Sequence, residues 1–150
     1  VSRFLRIALL SFATAFPLKA LAAGDEIEVF FATCMASLPK FSNVGELAAP
    51  LGFVGSDGKN WIRGSDNLGI NLVEAPDRYV CLLLSTGDHA TRFTNALEEV
   101  LQEKFKDQFE LKEYQGRKLY LVKVADENVI VEIVPPRGAS TIVMANVRKQ

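Results

Sequence analysis

The sequence predicts an α+β domain: a helix pair, then an antiparallel, curled sheet of about five to seven strands with one central helix, all tied by one disulfide. Three observations carry that expectation. The run Arg78-Tyr79-Val80-Cys81-Leu82-Leu83-Leu84-Ser85 is nearly all apolar and lies between the turn formers Ala75-Pro76-Asp77 and Thr86-Gly87-Asp88. About eight residues between such signals suit a buried strand and are too few for a core helix. Helical periodicity is found before this run and once after it, whereas the C-terminal part breaks into short apolar stretches separated by turn residues. Finally, the chain has 2 cysteines, Cys34 on a helical stripe and Cys81 in the middle of the apolar run.

The first residues, Val-Ser-Arg-Phe-Leu-Arg, are followed by a charge-free stretch from Ile7 to Phe16 and by Ala20-Leu21-Ala22 ahead of Gly24-Asp25-Glu26. A positive end, an apolar middle and an Ala-x-Ala exit predict a secretory signal peptide over 1–23, with a single domain over 24–150. The apolar stretch is well short of the roughly 20 residues that span a bilayer, so no membrane span is expected after cleavage. Val1 is what a translated alternative start codon would give, and it points to a bacterium and a periplasmic or secreted location. In such a compartment two cysteines are expected to pair. Closing a loop of about 47 residues is worth roughly 4 kcal/mol in the chain-entropy model.

The first helix is expected where Ile27, Phe30, Phe31, Cys34, Met35 and Leu38 fall at i, i+3, i+4, i+7, i+8 and i+11. Asp25 and Glu26 favour its start, and Pro39 ends it. Asn43-x-x-Glu46 resembles a capping box for a second short helix with Val44, Leu47, Ala48 and Leu51 inward. Trp61-Ile62-Arg63 forms a brief edge strand between loops rich in Gly, Ser, Asp and Asn. Leu68, Ile70 and Leu72 alternate with Gly69, Asn71 and Val73 and should form a hairpin with the Cys81 strand. A third helix, capped by Asp88, places Phe93, Ala96, Leu97, Val100, Leu101 and Phe105 inward. Four further strands, 109–114, 118–125, 128–134 and 140–147, complete an antiparallel meander.

Several strands are apolar on both faces, as in Leu119-Tyr120-Leu121-Val122 and Val129-Ile130-Val131. Antiparallel sheets usually wet one face. The sheet is therefore expected to be covered on both sides, curled about a helix, or closed by a partner chain. The favoured arrangement holds the Phe93–Phe105 helix on one face and pins the Cys34 helix to the other.

Chemistry is sparse. After removal of Arg3, Arg6 and Lys19 the mature chain keeps 14 basic groups against 18 acidic ones, a net charge near −4. A mildly acidic surface argues against nucleic acid or an anionic membrane as partner. The cysteines lack Cys-x-x-Cys spacing, and with one histidine they make no zinc site; the acidic loops lack the ligand pattern of an EF-hand. No metal, cofactor or catalytic residue is assigned. His89, beside Asp88 and near Ser85 and Thr86, is the one general-base candidate, yet no Gly-x-Ser-x-Gly elbow accompanies it. Glu132 is the one carboxylate inside an apolar strand; buried, it would be tuned for acid work or paired with an arginine, but the favoured expectation is an open patch of the sheet or an edge. Trp61, Arg63, Asp88 and His89 are the candidate binding surface, since aromatic and arginine side chains dominate binding hot spots.

These features favour a non-catalytic binding, accessory or inhibitor-type module of the cell envelope, with an envelope protein or small ligand as partner. The alternatives are a small hydrolase using His89 with Asp88 or a distant acid, and a self-associating structural protein.

Overall fold

The computed structural model describes residues 25–136 and 138–150, so the leader predicted over 1–23 lies outside the described residues. Helix α1, Glu26–Thr33, carries Glu26 and Glu28 in its first turn, where the helix dipole favours negative charge. It is shorter than its apolar stripe, tightening after Cys34 into a 3-10 turn, Met35–Ser37. Two hydroxyls account for that: Thr33 Oγ1 donates to Val29 O, and Ser37 Oγ donates to Cys34 O, both competing with the regular ladder. Helix α2, Val44–Ala48, runs into a 3-10 turn, Ala49–Leu51, closed by Gly52 at φ 86°. Asn43 makes no side-chain cap bond, so the expected capping box does not form.

Seven strands follow: β1 Asn60–Arg63, β2 Leu68–Glu74, β3 Arg78–Thr86, β4 Phe109–Tyr114, β5 Arg117–Val124, β6 Glu127–Val134 and β7 Ser140–Arg148. Helix α3, Ala90–Lys104, separates β3 from β4. The sheet order is β1-β2-β3-β7-β6-β5-β4, with every neighbouring pair antiparallel. Two meanders thus join where β7 returns beside β3. The β4–β5 turn has Gln115 at φ 50° and Gly116 at φ 74°, the left-handed pair that lets a two-residue loop match strand twist. At the start of α3 the cap position is His89, one residue later than expected; Asp88 Oδ1 accepts from Ala90 N at 3.3 Å instead.

The register assigns every strand residue to a face. Leu72, Cys81, Ala145, Val131, Tyr120 and Leu111 stand opposite one another in one row, and Ile70, Leu83, Val143 and Ile133 in the next. Cys81, Leu83, Val143, Ala145, Val131 and Tyr120 are at most 1 % exposed, so this is the covered face. Both long helices lie on it. Cys34 at the end of α1 is bonded to Cys81, with Cα atoms 5.7 Å apart, and α3 reaches the same side where Tyr120 Oη donates to Glu98 at 2.7 Å. The helices also touch each other: the rings of Phe31 and Phe105 are 6.0 Å apart, and Arg92 clamps Glu26 with two hydrogen bonds of 2.9 and 3.0 Å. Phe30, Phe93, Leu97 and Leu101 fill the space between.

Two expectations are corrected here. The Cys34 helix shares a face with α3 instead of occupying the opposite one, and the sheet is open, not curled, with β1 and β4 at its two ends and β1 bridged on its outer side by Val54 to Ile62. Curling needs bulges or glycine kinks, and the six registers run residue for residue without one.

The Glu26–Arg92 pair gives the fold an acid-sensitive joint. Burial alone would raise the Glu26 carboxyl, but the Arg92 hydrogen bonds, its own helix-start N–H and the charges of Arg92 and His89 outweigh that and hold it below the ordinary carboxylate value. A lowered folded pKa contributes stability that is present above the unfolded value and is lost as pH falls through the folded one. Glu26→Gln is therefore expected to flatten the acid limb of a stability-versus-pH curve while shifting neutral-pH stability by about 1 kcal/mol or less. An acid limb as steep in Glu26→Gln as in the parent would contradict the assignment.

Tyr120 makes the second joint. Its hydroxyl is pushed well above the usual phenol range, first by burial and then by the Glu98 carboxylate it donates to. Lys118 Nζ donates to the same oxygen at 2.9 Å.

Candidate functional site

The other face of the sheet has no helix on it among the described residues. Its side chains form a grid: Leu84, Ile142 and Val134; then Leu82, Met144, Glu132 and Leu119; then Val73, Val80, Asn146, Ile130 and Leu121; then Arg78, Arg148, Asn128 and Lys123. Leu82, Leu84, Ile142, Met144, Val134, Leu119 and Leu121 are only half-buried, while Ile130 is 40 % and Val73 44 % exposed. An apolar centre with a polar rim is the anatomy of a recognition surface, and contiguous patches of this kind are rare on monomers without a binding role.

Glu132 sits inside this patch at 4 % exposure, between Leu119 and Met144 of the flanking strands. Its Oε1 lies 3.1 Å from Arg117 Nη1, yet no N–H is aimed at it well enough to form a hydrogen bond. The contact is therefore Coulombic, made by a half-exposed guanidinium to a buried carboxylate. Glu132 thus lies on the helix-free face, but buried and against an arginine, which is the less favoured of the two sequence readings. Arg117→Ala should cost about 2 to 3 kcal/mol by stranding the carboxylate, whereas Glu132→Leu should be neutral or stabilising by up to about 2 kcal/mol. Urea unfolding of both variants checks this; equal losses would mean that the pair itself holds the sheet.

At one end of the open face the strands leave a depression of about 370 Å³ lined by Arg78, Arg148, Asn128, Asn146, Leu121 and Ile130, with Asp77 at its edge. Arg78 and Arg148 are direct cross-strand neighbours. Arg78 is engaged by Asp77, at 3.0 Å from Nε and 2.7 Å from Nη2. Arg148 has no ion-pair partner among the described residues.

The residues singled out from sequence are placed elsewhere. Trp61 and Arg63 of β1 point to the covered side. Trp61 is 9 % exposed, with its indole against Gly45 and Gly55; a Cβ at Gly55 would collide with that indole and with the Asn60 carbonyl. Arg63 donates to both carboxylate oxygens of Asp66, at 2.9 and 2.6 Å, and to Leu51 O at 3.0 Å, and it lies over the Phe53 ring. Both side chains thus close the end of the core under β1.

His89 and Asp88 lie where β3 enters α3. The His89 ring is 5.5 Å from the Phe93 ring, and its Nε2 is 2.8 Å from Thr86 O, an acceptor, so Nε2 carries the proton. Thr141 Oγ1 accepts from the His89 backbone N–H at 2.9 Å and donates to Gly87 O at 2.7 Å. Among the described residues no hydroxyl or carboxylate is hydrogen-bonded to the imidazole, and the nearby Glu26 is held by Arg92. No hydrogen bond, ion pair or ring contact joins Trp61 or Arg63 to Asp88 or His89 among the described residues.

Cys34 and Cys81 form the one disulfide among the described residues, with no free cysteine beside it. Among those residues no cluster of three or more His, Cys, Asp or Glu side chains could hold a metal ion, and no helix is long and apolar enough to cross a membrane. The sequence marked the sheet as apolar on both faces, through Leu82 and Leu84 alternating with the core residues Cys81 and Leu83, but the basic end of the open face was not among the candidate binding residues it suggested. Comparison with protein-family models, curated proteins and solved structures returns no match.

Proposed function

We propose that this chain is a non-catalytic binding module of the bacterial cell envelope, engaging its ligand or partner protein through the open face of the sheet. One observation carries the proposal: a contiguous apolar surface across β3, β7, β6 and β5, rimmed by polar side chains and left uncovered by any described element. Leaving so much apolar area in water costs about 25 cal/mol per Å², which an occupant would recover. The Cys34–Cys81 bond is consistent with an oxidising compartment, and the apolar leader supports export.

The test is site-specific photo-cross-linking in cells, with the reactive residue at Met144 on the open face or at Glu99 on the outer side of α3. An adduct from position 144 and none from position 99 is the expected result. Equal labelling from both positions, or none from 144, would overturn the proposal. A product of twice the chain mass from 144 would also overturn it, in favour of self-association.

A further inference from the structure

We infer that the basic end of the open face is a binding site for a medium- or long-chain carboxylate, with the head group between Arg78 and Arg148 and the alkyl chain running along the strands over the apolar rows. The inference rests on the open face being the binding surface. Like charges placed directly opposite on paired strands repel, and Arg78 faces Arg148 at such a position. Asp77 hydrogen-bonds Arg78 and reaches Arg148 only by longer-range attraction, so Arg148 faces the depression without an ion pair among the described residues. A planar guanidinium is matched to the two oxygens of a carboxylate, and the Asn128 and Asn146 amides beside it supply further donors.

The walls decide against a small inorganic anion. Leu121 and Ile130 border the depression, and the rows of Leu82, Met144 and Leu119, then of Leu84, Ile142 and Val134, continue from it. Successive rows on one face are about 7 Å apart, so the apolar track runs roughly 14 Å beyond the row of Ile130. Glu132 lies in this track but is buried and faces Arg117, so it presents little charge to a chain above it. The volume of about 370 Å³ at the head end is in the range of small-molecule sites.

Charge also disfavours two other occupants. The leader carries Arg3, Arg6 and Lys19 and no acid, so it does not complement a basic row. A second copy related by a two-fold along the strands would set that row against itself.

The experiment is calorimetric titration of the purified protein with dodecanoate below its micelle concentration, alongside acetate, inorganic phosphate and dodecyltrimethylammonium. Dodecanoate is expected to bind one to one, with the other three at least tenfold weaker. Arg148→Ala and Ile130→Ser should each weaken dodecanoate about tenfold while leaving the urea midpoint nearly unchanged, and Arg148→Lys should lose less than Arg148→Ala. Absence of dodecanoate binding would overturn the inference, as would equal binding of the cationic detergent or of phosphate, or an unaffected Arg148→Ala. If dodecanoate fails while the position-144 adduct persists, this inference falls and the proposed function stands; if both fail, both fall.

Discussion

Removing the disulfide, by Cys34→Ser with Cys81→Ser, is expected to cost about 4 kcal/mol of unfolding free energy. The bond joins residues 47 apart in sequence and fastens the end of α1 to the middle of β3, both at 0 % exposure. In the chain-entropy model most of the loss comes from freeing a long loop in the unfolded state; burying two hydroxyls in an apolar site adds to it. Against a typical domain stability of about 5 to 15 kcal/mol, this is a large share. Urea unfolding of parent and double variant in the same buffer measures it. A difference under about 1 kcal/mol would show that helix packing alone fixes α1, and that the link contributes little.

Phe93→Ala is the second large effect, expected at about 3 to 5 kcal/mol. Phe93 is 1 % exposed and lies in the first turns of α3, with the His89 ring at 5.5 Å and the Arg92 guanidinium at 5.0 Å from its centroid. Truncation leaves a cavity between α3 and the sheet that neighbouring Leu97 and Leu101 cannot fill without leaving their own places. Because the same layer holds Glu26 against Arg92, the variant should also lose protection of α1 amides in hydrogen exchange. A loss confined to α3 would indicate that the two helices open independently.

Much of the architecture was legible because punctuation in the chain is strong. Ala75-Pro76-Asp77, Gln115-Gly116 and Pro135-Pro136 separate apolar runs too short for helices, and the strands appear between them. The disulfide was legible because only two cysteines exist and both fell on apolar stripes. What alternation does not encode is which face of a sheet a helix will cover. Leu82 and Leu84 are as apolar as Cys81 and Leu83, and their hydrophobicity pointed to a second cover that no described element supplies.

The candidate site was less legible than the fold, for a related reason. Trp61 and Arg63 carry side chains typical of binding hot spots, yet Gly45 and Gly55 make a slot for the indole, and Asp66 with the Leu51 carbonyl neutralises the guanidinium. The Arg78–Arg148 pairing depends on β7 returning beside β3, a contact between residues 70 positions apart that no local pattern reports. The Tyr120–Glu98 bond spans 22 residues and was missed likewise; a tyrosine at a core position needs a partner for its hydroxyl, and that requirement was the one available hint.

The account stands on one division: a sheet with one face under helices and the other open. Leu82 and Leu83 are chain neighbours on β3 that fall on opposite sides of it, half-buried and fully buried respectively. The most direct measurement is the urea unfolding free energy of Leu82→Asn beside Leu83→Asn. A loss above about 3 kcal/mol is expected for Leu83→Asn, where the amide is buried without partners, and about 1 kcal/mol for Leu82→Asn, where it meets water. Equal losses, or a larger one at Leu82, would contradict the account.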